Sequence, residues 1–294
     1  VRIAKIQALD RCFGSTSMEV AMIGDQILPM HAVEPVCLDR GTFFGDGVYE
    51  VIRSYDGKIF ALDEHMERFS NSLAAIGIHG IEIETVRSRV LRAFEVAGIA
   101  EAKIYFHATR GSELRMHVPG DGIRPNFFLM LTRLHYDLEA KAKGIAVSTH
   151  PDWRWARCDI KSLNLLANVL ARQDAAKKGC QEAILVDSAG LITEGAGSAF
   201  FAVMGKSVRT APLTANILPS VTRKFVLEAA ERLKLKVKEE CLTSKDAAGA
   251  DELFTAVTTQ DIVPVVQFDE TTIGDGKPGP VVNSLIEEFR KLRR

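Results

Sequence analysis

Alternation between apolar and polar positions divides the chain into strands and helices from residue 22 onward. Residues 22–28 reverse at Gly24-Asp25, and residues 47–54 alternate with the period of two expected of a half-buried strand. The Tyr55-Asp56-Gly57-Lys58 turn joins that strand to residues 59–62, which predicts a hairpin. The spacing then changes to three and four. Met66, Phe69, Leu73 and Ile76 share a helical face behind Asp63, a candidate cap, and Val86, Val90, Leu91 and Phe94 mark a second helix over 83–97. Strand patterns return at 103–109 and 126–131. Residues 133–143 are polar and charged between two β-like runs, which makes them the expected interdomain linker. Beyond them the pattern predicts strands at 144–149, 182–186, 199–203 and 252–257, with helices at 163–178, 222–233 and 281–292. Val282, Leu285, Ile286 and Phe289 form the buried stripe of the last helix. Strands and helices interleave without a regular βαβ rhythm or a G-x-G-x-x-G turn. The expectation is an α+β protein of two domains: a small N-terminal domain (1–132), the linker, and a larger C-terminal domain (144–294).

Composition narrows the function. The 294 residues are 47% hydrophobic and 26% charged, as in an ordinary globular protein. A net charge of −1 gives no electrostatic reason for a nucleic acid partner, and no apolar run reaches bilayer length. Residues 1–18 carry Arg2, Lys5, Asp10 and Arg11 without a continuous apolar stretch, so no secretory signal is expected. Cys12, Cys37, Cys158, Cys180 and Cys241 are scattered with no metal-binding spacing, which reads as reduced thiols in a cytoplasmic protein.

Two segments carry chemistry. In Asp159-Ile160-Lys161-Ser162-Leu163-Asn164, a lysine stands among small and apolar residues at an expected helix start, where partial desolvation favours a nucleophilic amine. Thirty-three residues on, Glu194 enters the glycine-rich turn Thr193-Glu194-Gly195-Ala196-Gly197-Ser198. An amine to hold an aldehyde and a carboxylate to hold a pyridinium proton are what pyridoxal phosphate chemistry requires. Val221 and Thr222 open a helix after Asn216-Ile217-Leu218-Pro219-Ser220, where free N–H groups favour an anion.

With Lys161, Glu194 and that helix start taken together, the chain resembles the fold-type IV pyridoxal phosphate enzymes from about Met22 to its end. That group includes D-amino acid aminotransferases, branched-chain aminotransferases and aminodeoxychorismate lyases. The resemblance implies a small α/β N-terminal domain, a larger pseudo-barrel C-terminal domain and pyridoxal 5′-phosphate as cofactor. Lys161 is then the lysine that joins the cofactor and later moves the substrate proton, and Glu194 lies against the pyridine nitrogen. Arg68, Val221, Thr222 and Thr258 match phosphate-binding positions, and Leu218 matches the residue packed on the ring. Ser220 stands where the family usually has glycine. Arg115 and His117, in Thr109-Arg110-Gly111-Ser112-Glu113-Leu114-Arg115-Met116-His117, match a loop that reaches the neighbouring subunit's site in D-amino acid aminotransferases. There they trap the substrate α-carboxylate with a tyrosine matching Tyr49. Tyr49, Val51 and Arg53 share one strand face and, with Thr259, complete the expected substrate site; Arg53 departs from the lysine typical of the D-amino acid enzymes. His65, His107, Trp153 and Trp155 read as structural residues.

The resemblance is closest to the D-amino acid aminotransferases. It implies exchange of amino groups between D-alanine or D-glutamate and 2-oxoglutarate or pyruvate, in a homodimer with composite sites. An L-branched-chain aminotransferase and an aminodeoxychorismate lyase are the alternatives. A cofactor-binding protein without turnover is a further one, disfavoured by the intact Lys161/Glu194 pair.

Overall fold

Residues 19–135 and 138–293 are described by the computed structural model. The expectations for residues 1–18, Cys12 included, lie outside them. The chain begins with the hairpin β1 (Val20–Ile23) and β2 (Gln26–Pro29), followed by the short helix α1 (Arg40–Phe44).

The smaller of two principal sheets follows. It comprises β3 (Gly47–Tyr55), β4 (Lys58–Ile59), β5 (Ala102–Thr109) and β6 (Asn126–Arg133), in the antiparallel order β4-β3-β5-β6. Asp56 and Gly57 both adopt positive φ in the β3–β4 turn, which suits the right-handed twist of a hairpin. The expected hairpin is shorter than the pattern implied, because α2 (Leu62–Ala75) begins at once. Ala61 caps α2 in the left-handed region, while Asp63 lies in its first turn and makes no side-chain cap.

The period of two in β3 and β5 gives this sheet two different faces. Val48, Ile52, Ile104 and Phe106 pack against Met66, Phe69 and Leu73 of α2 and against Val86 and Val90 of α3 (Ile83–Ala97). The opposite face carries Tyr49, Val51 and Arg53, paired across to His107, Tyr105 and Lys103.

A short helix, α4 (Leu138–Lys143), occupies the expected linker. It is not a free tether: Lys141 donates to the Gln260 carbonyl and lies 3.7 Å from Asp261. The larger sheet then assembles from β7 (Ile145–Pro151), β8 (Glu182–Val186), β9 (Leu191–Gly195), β10 (Ala199–Met204), β11 (Ser207–Thr210), β12 (Lys236–Glu239), β13 (Leu242–Thr243), β14 (Glu252–Val257), β15 (Asp261–Phe268) and β16 (Thr271–Thr272). Its order is β12-β11-β10-β14-β15-β7-β8-β9-β13, with β16 on β15; β11/β12, β15/β7 and β7/β8 are parallel and the other pairs antiparallel. Curled into a half-barrel, it completes with the smaller sheet the expected α+β architecture.

Helices cover this sheet. Val226 and Ala229 of α6 (Val221–Arg232) and Val282, Leu285 and Phe289 of α8 (Pro280–Leu292) bury Phe201, Phe254 and Ile262. Ala171 and Ala175 of α5 (Leu166–Lys177) pack on Ala183 and Leu185. Between α6 and α8 lies α7 (Ser244–Ala248), closed by a Thr243/Asp246 capping box. No helix among the described residues is long and apolar enough to cross a membrane.

Candidate active site

Lys161 does not start a helix. Helix α5 begins at Leu166, and Lys161 lies on an extended strap laid beside β3. The Tyr49 N–H donates to the Lys161 carbonyl at 3.0 Å, the Leu163 N–H to the Gly47 carbonyl at 3.0 Å, and the Lys161 N–H to Ser72 Oγ at 3.2 Å. Gly47 makes this approach feasible. A Cβ there would sit 2.5 Å from the Ala108 carbonyl oxygen and 2.8 Å from Leu163 Cδ1. The strap fixes both ends of the lysine's backbone and sends its Nζ over the Tyr49 ring, 4.2 Å from the centroid.

Glu194 comes from the end of β9 and is buried. Arg154 Nη1 donates to its Oε1 at 2.5 Å, and the Leu218 N–H donates to the same oxygen at 3.0 Å. Arg154 is held in turn by Asp152, at 2.8 Å, and by the Asn216 carbonyl, at 3.1 Å. Burial pushes the Glu194 carboxyl upward and Arg154 pulls against that shift. Arg154 itself is raised: burial opposes its charge, and the bonds to Asp152 and Glu194 outweigh burial. The result is a buried carboxylate partnered by a guanidinium that Asp152 and the Asn216 carbonyl hold in place.

Arg68 faces the cavity from α2. Its Nε and Nη2 form a bidentate pair with Glu50 at 2.7 and 2.8 Å, and Nη1 donates to the Pro219 carbonyl at 3.1 Å. Glu50 sits among apolar side chains of β3 and also meets His65 Nδ1 at 2.8 Å. Burial alone would raise the Glu50 carboxyl, but Arg68 and His65 hold it well below the usual carboxylate range. Burial lowers His65, with Glu50 opposing. Beside Arg68, Ser220 caps α6 by accepting from the Arg223 N–H at 3.1 Å, and Thr222 Oγ1 lies 3.5 Å from Thr258 Oγ1.

These groups surround one cavity of about 330 Å³. Tyr49, Val51, Arg68, Lys161, Glu194, Leu218, Thr258 and Thr259 line it. Val221 and Thr222 are buried in the first turn of α6, behind Ser220, which reaches the wall. Arg53 is not brought to the cavity. It turns to Asp261 at 3.1 Å, Glu101 at 3.3 Å and the Thr259 carbonyl at 3.1 Å. Arg115 and His117 are exposed and lie against the Phe44 ring, off the wall of their own chain's cavity.

Glu50, Asp152, Arg154 and Lys103 escaped the sequence reading. Glu50 had a signal: a charge at an apolar-face position of an alternating strand needs a buried partner. Arg154 had none, since its role depends on a fold-level approach of residues 152–154 to β9. The two tryptophans differ from the packing role expected. Trp153 and Trp155 are exposed on an irregular segment, and Trp155 lines the cavity. Cys158, also on the wall, is pushed up to about 11 by burial, so it stays a neutral thiol.

The pattern of the family "Amino-transferase class IV" matches residues 47–268. The chain is 38% identical over 262 residues to a D-alanine aminotransferase of Bacillus licheniformis, covering 86% of this chain and 92% of the relative. It is 41% identical over 258 residues to a D-alanine aminotransferase of Staphylococcus haemolyticus, covering 86% and 90%. Among solved structures it is similar to a branched-chain amino acid aminotransferase of Escherichia coli, with a TM-score of 0.83, 25% identity and coverage of 91% and 92%. It is also similar to a T.th. branched-chain amino acid aminotransferase holding pyridoxamine 5′-phosphate, with a TM-score of 0.82, 25% identity and coverage of 95% and 96%.

The donor set fits pyridoxal 5′-phosphate. Lys161 offers an amine, Glu194 a buried acceptor, and Arg68 with the capped start of α6 a cationic, N–H-rich corner. The chain belongs to the class IV aminotransferases, enzymes that act on amino acids and 2-oxo acids with pyridoxal 5′-phosphate as cofactor.

Proposed function

We propose that the protein transfers amino groups between D-amino acids of the D-alanine and D-glutamate type and 2-oxo acids such as 2-oxoglutarate and pyruvate. One observation carries this reading: identity of 36–41% to D-alanine aminotransferases over 86% of the chain. The solved branched-chain enzymes, at 25% identity, support an L-branched-chain alternative at lower similarity. Assays with D-alanine and with L-leucine, each with 2-oxoglutarate, decide between them. D-alanine turnover above L-leucine turnover is expected; the reverse order overturns the proposal.

When bound, the cofactor supplies an aldehyde for the amino group and a ring that withdraws electrons from the substrate α-carbon. Arg68, Val221, Thr222 and Thr258 would hold its phosphate, and Leu218 would pack on its ring. Glu194 would keep a proton at the ring nitrogen, which its buried bond to Arg154 supports. Lys161 Nζ would join the aldehyde at rest and, once released, carry a proton to and from the substrate α-carbon. The strap fixes the lysine's backbone beside β3, which supports delivery of the proton to one face of the substrate.

Arg115, His117 and Tyr49 would bind the α-carboxylate, with the two loop residues acting in a second copy's cavity. Their exposure on a loop that also exposes Leu114, Met116 and Val118 supports a homodimer with composite sites. Val51 and Thr259 would border the substrate. Arg53 would act behind the wall, fixing Thr259 through its carbonyl. The near-neutral charge offers no electrostatic reason for a nucleic acid or membrane-surface partner, and a cytoplasmic location is part of the proposal.

A further inference from the structure

We infer that Lys103 receives the side-chain carboxylate of a dicarboxylic substrate and so favours acidic amino acids and 2-oxo diacids over neutral ones. The inference rests on the transaminase reading and names the substrate class of that site. Lys103 stands on β5 directly across from Arg53, on the sheet face that holds Tyr49 and Val51, and it lines the same cavity as Lys161. The cavity's other cations are committed. Arg68 is paired with Glu50, and Arg154 with Asp152 and Glu194. Lys161 is the reacting amine. Arg53, behind the wall, is paired with Asp261 and Glu101.

Lys103 alone is half-buried on the wall with no hydrogen-bond or ion-pair partner among the described residues. An ammonium so placed, facing Arg53 across the strand, lacks an anion. A methyl side chain leaves that lack unanswered, whereas a second substrate carboxylate answers it. The α-carboxylate, common to both substrate kinds, cannot create a preference between them. The side-chain carboxylate can, and a charge-assisted hydrogen bond of this sort is worth about 10- to 100-fold in affinity.

The test compares the ratio of kcat/KM for D-glutamate to that for D-alanine in the wild type and in Lys103→Met. The ratio is expected to fall at least about tenfold in the variant and to recover in Lys103→Arg. An unchanged ratio overturns the inference, whether both activities fall together or neither moves. Binding of glutarate and of pentanoate to the wild-type holoenzyme, measured by calorimetry, reads the same preference without turnover. Tighter binding of glutarate supports the inference and equal binding overturns it, even if Lys103→Met fails to fold. A wild type that transaminates only L-amino acids but still prefers glutarate would reject the D-specific reading and leave Lys103 in its role.

Discussion

At the scale of single residues, the site depends on two buried ion pairs with unequal purposes. Arg154 has no role visible on a sequence, yet its guanidinium is the charge partner that opposes the upward push of burial on Glu194. Removing one partner of such a pair leaves an uncompensated charge, at about 3–5 kcal/mol. Arg154→Met is therefore expected to lower the urea midpoint sharply, and the double variant with Glu194→Gln to lose less than Arg154→Met alone. Additive losses in that cycle would contradict the coupling. Glu50, His65 and Arg68 form the second cluster. Both Glu50 and His65 are held below their ordinary values in the fold, so each contributes stability above its unfolded pKa that is lost as pH falls. Stability should decline as pH drops below about 6.5, through His65 first, and again below about 4.3, through Glu50. Urea midpoints at graded pH check this, and His65→Gln is expected to flatten the upper part of the decline. Arg68, Lys161 and Glu194, which the structure brings to one cavity, were legible in sequence as motif matches. Their partners were not, because a partner such as Asp152 or Arg154 is defined by approach in space.

At the scale of elements, the placement of Lys161 is the main revision. Apolar spacing over 163–178 predicts a helix start near the lysine, but three residues are withheld from α5 so that the strap can pair with β3. Backbone pairing with the edge of a strand leaves no side-chain periodicity, which is why the pattern missed it. Strands β11, β12 and β13 are short, and β15 includes Pro264, so none announces itself by alternation. The long helices were legible because a buried stripe repeats at 3.6 residues over several turns. Gly47 tests the strap directly. Gly47→Ala would place a Cβ 2.5 Å from the Ala108 carbonyl oxygen of β5 and 2.8 Å from Leu163 Cδ1, wedging the strap away from β3. The expected outcome is a folded protein, by circular dichroism, with kcat reduced at least about tenfold and cofactor bound less tightly. That magnitude follows from the sensitivity of catalysis to displacements of about 1 Å. Undiminished kcat would show that the strap tolerates displacement.

At the scale of the whole molecule, the two sheets meet around the cavity: the smaller gives Tyr49, Val51 and Lys103, and the larger gives Glu194 and Thr258. We propose the division into domains 1–132 and 144–294 joined by 133–143. Limited proteolysis is expected to cut first within 133–143, and first cleavage inside either sheet would argue against the division. The paired architecture was legible from the order of strand and helix patterns. The curl of the larger sheet was not, because long-range strand order leaves no local trace. A dimer at assay concentrations is expected by light scattering; a fully active monomer would remove any role for Arg115 and His117 across subunits.

Everything chemical here converges on one amine opposite one acid. Borohydride reduction of the holoenzyme followed by peptide mapping is expected to place the covalent cofactor label on Lys161. A label on another lysine, or no label on a protein that still transaminates, would contradict the assignment.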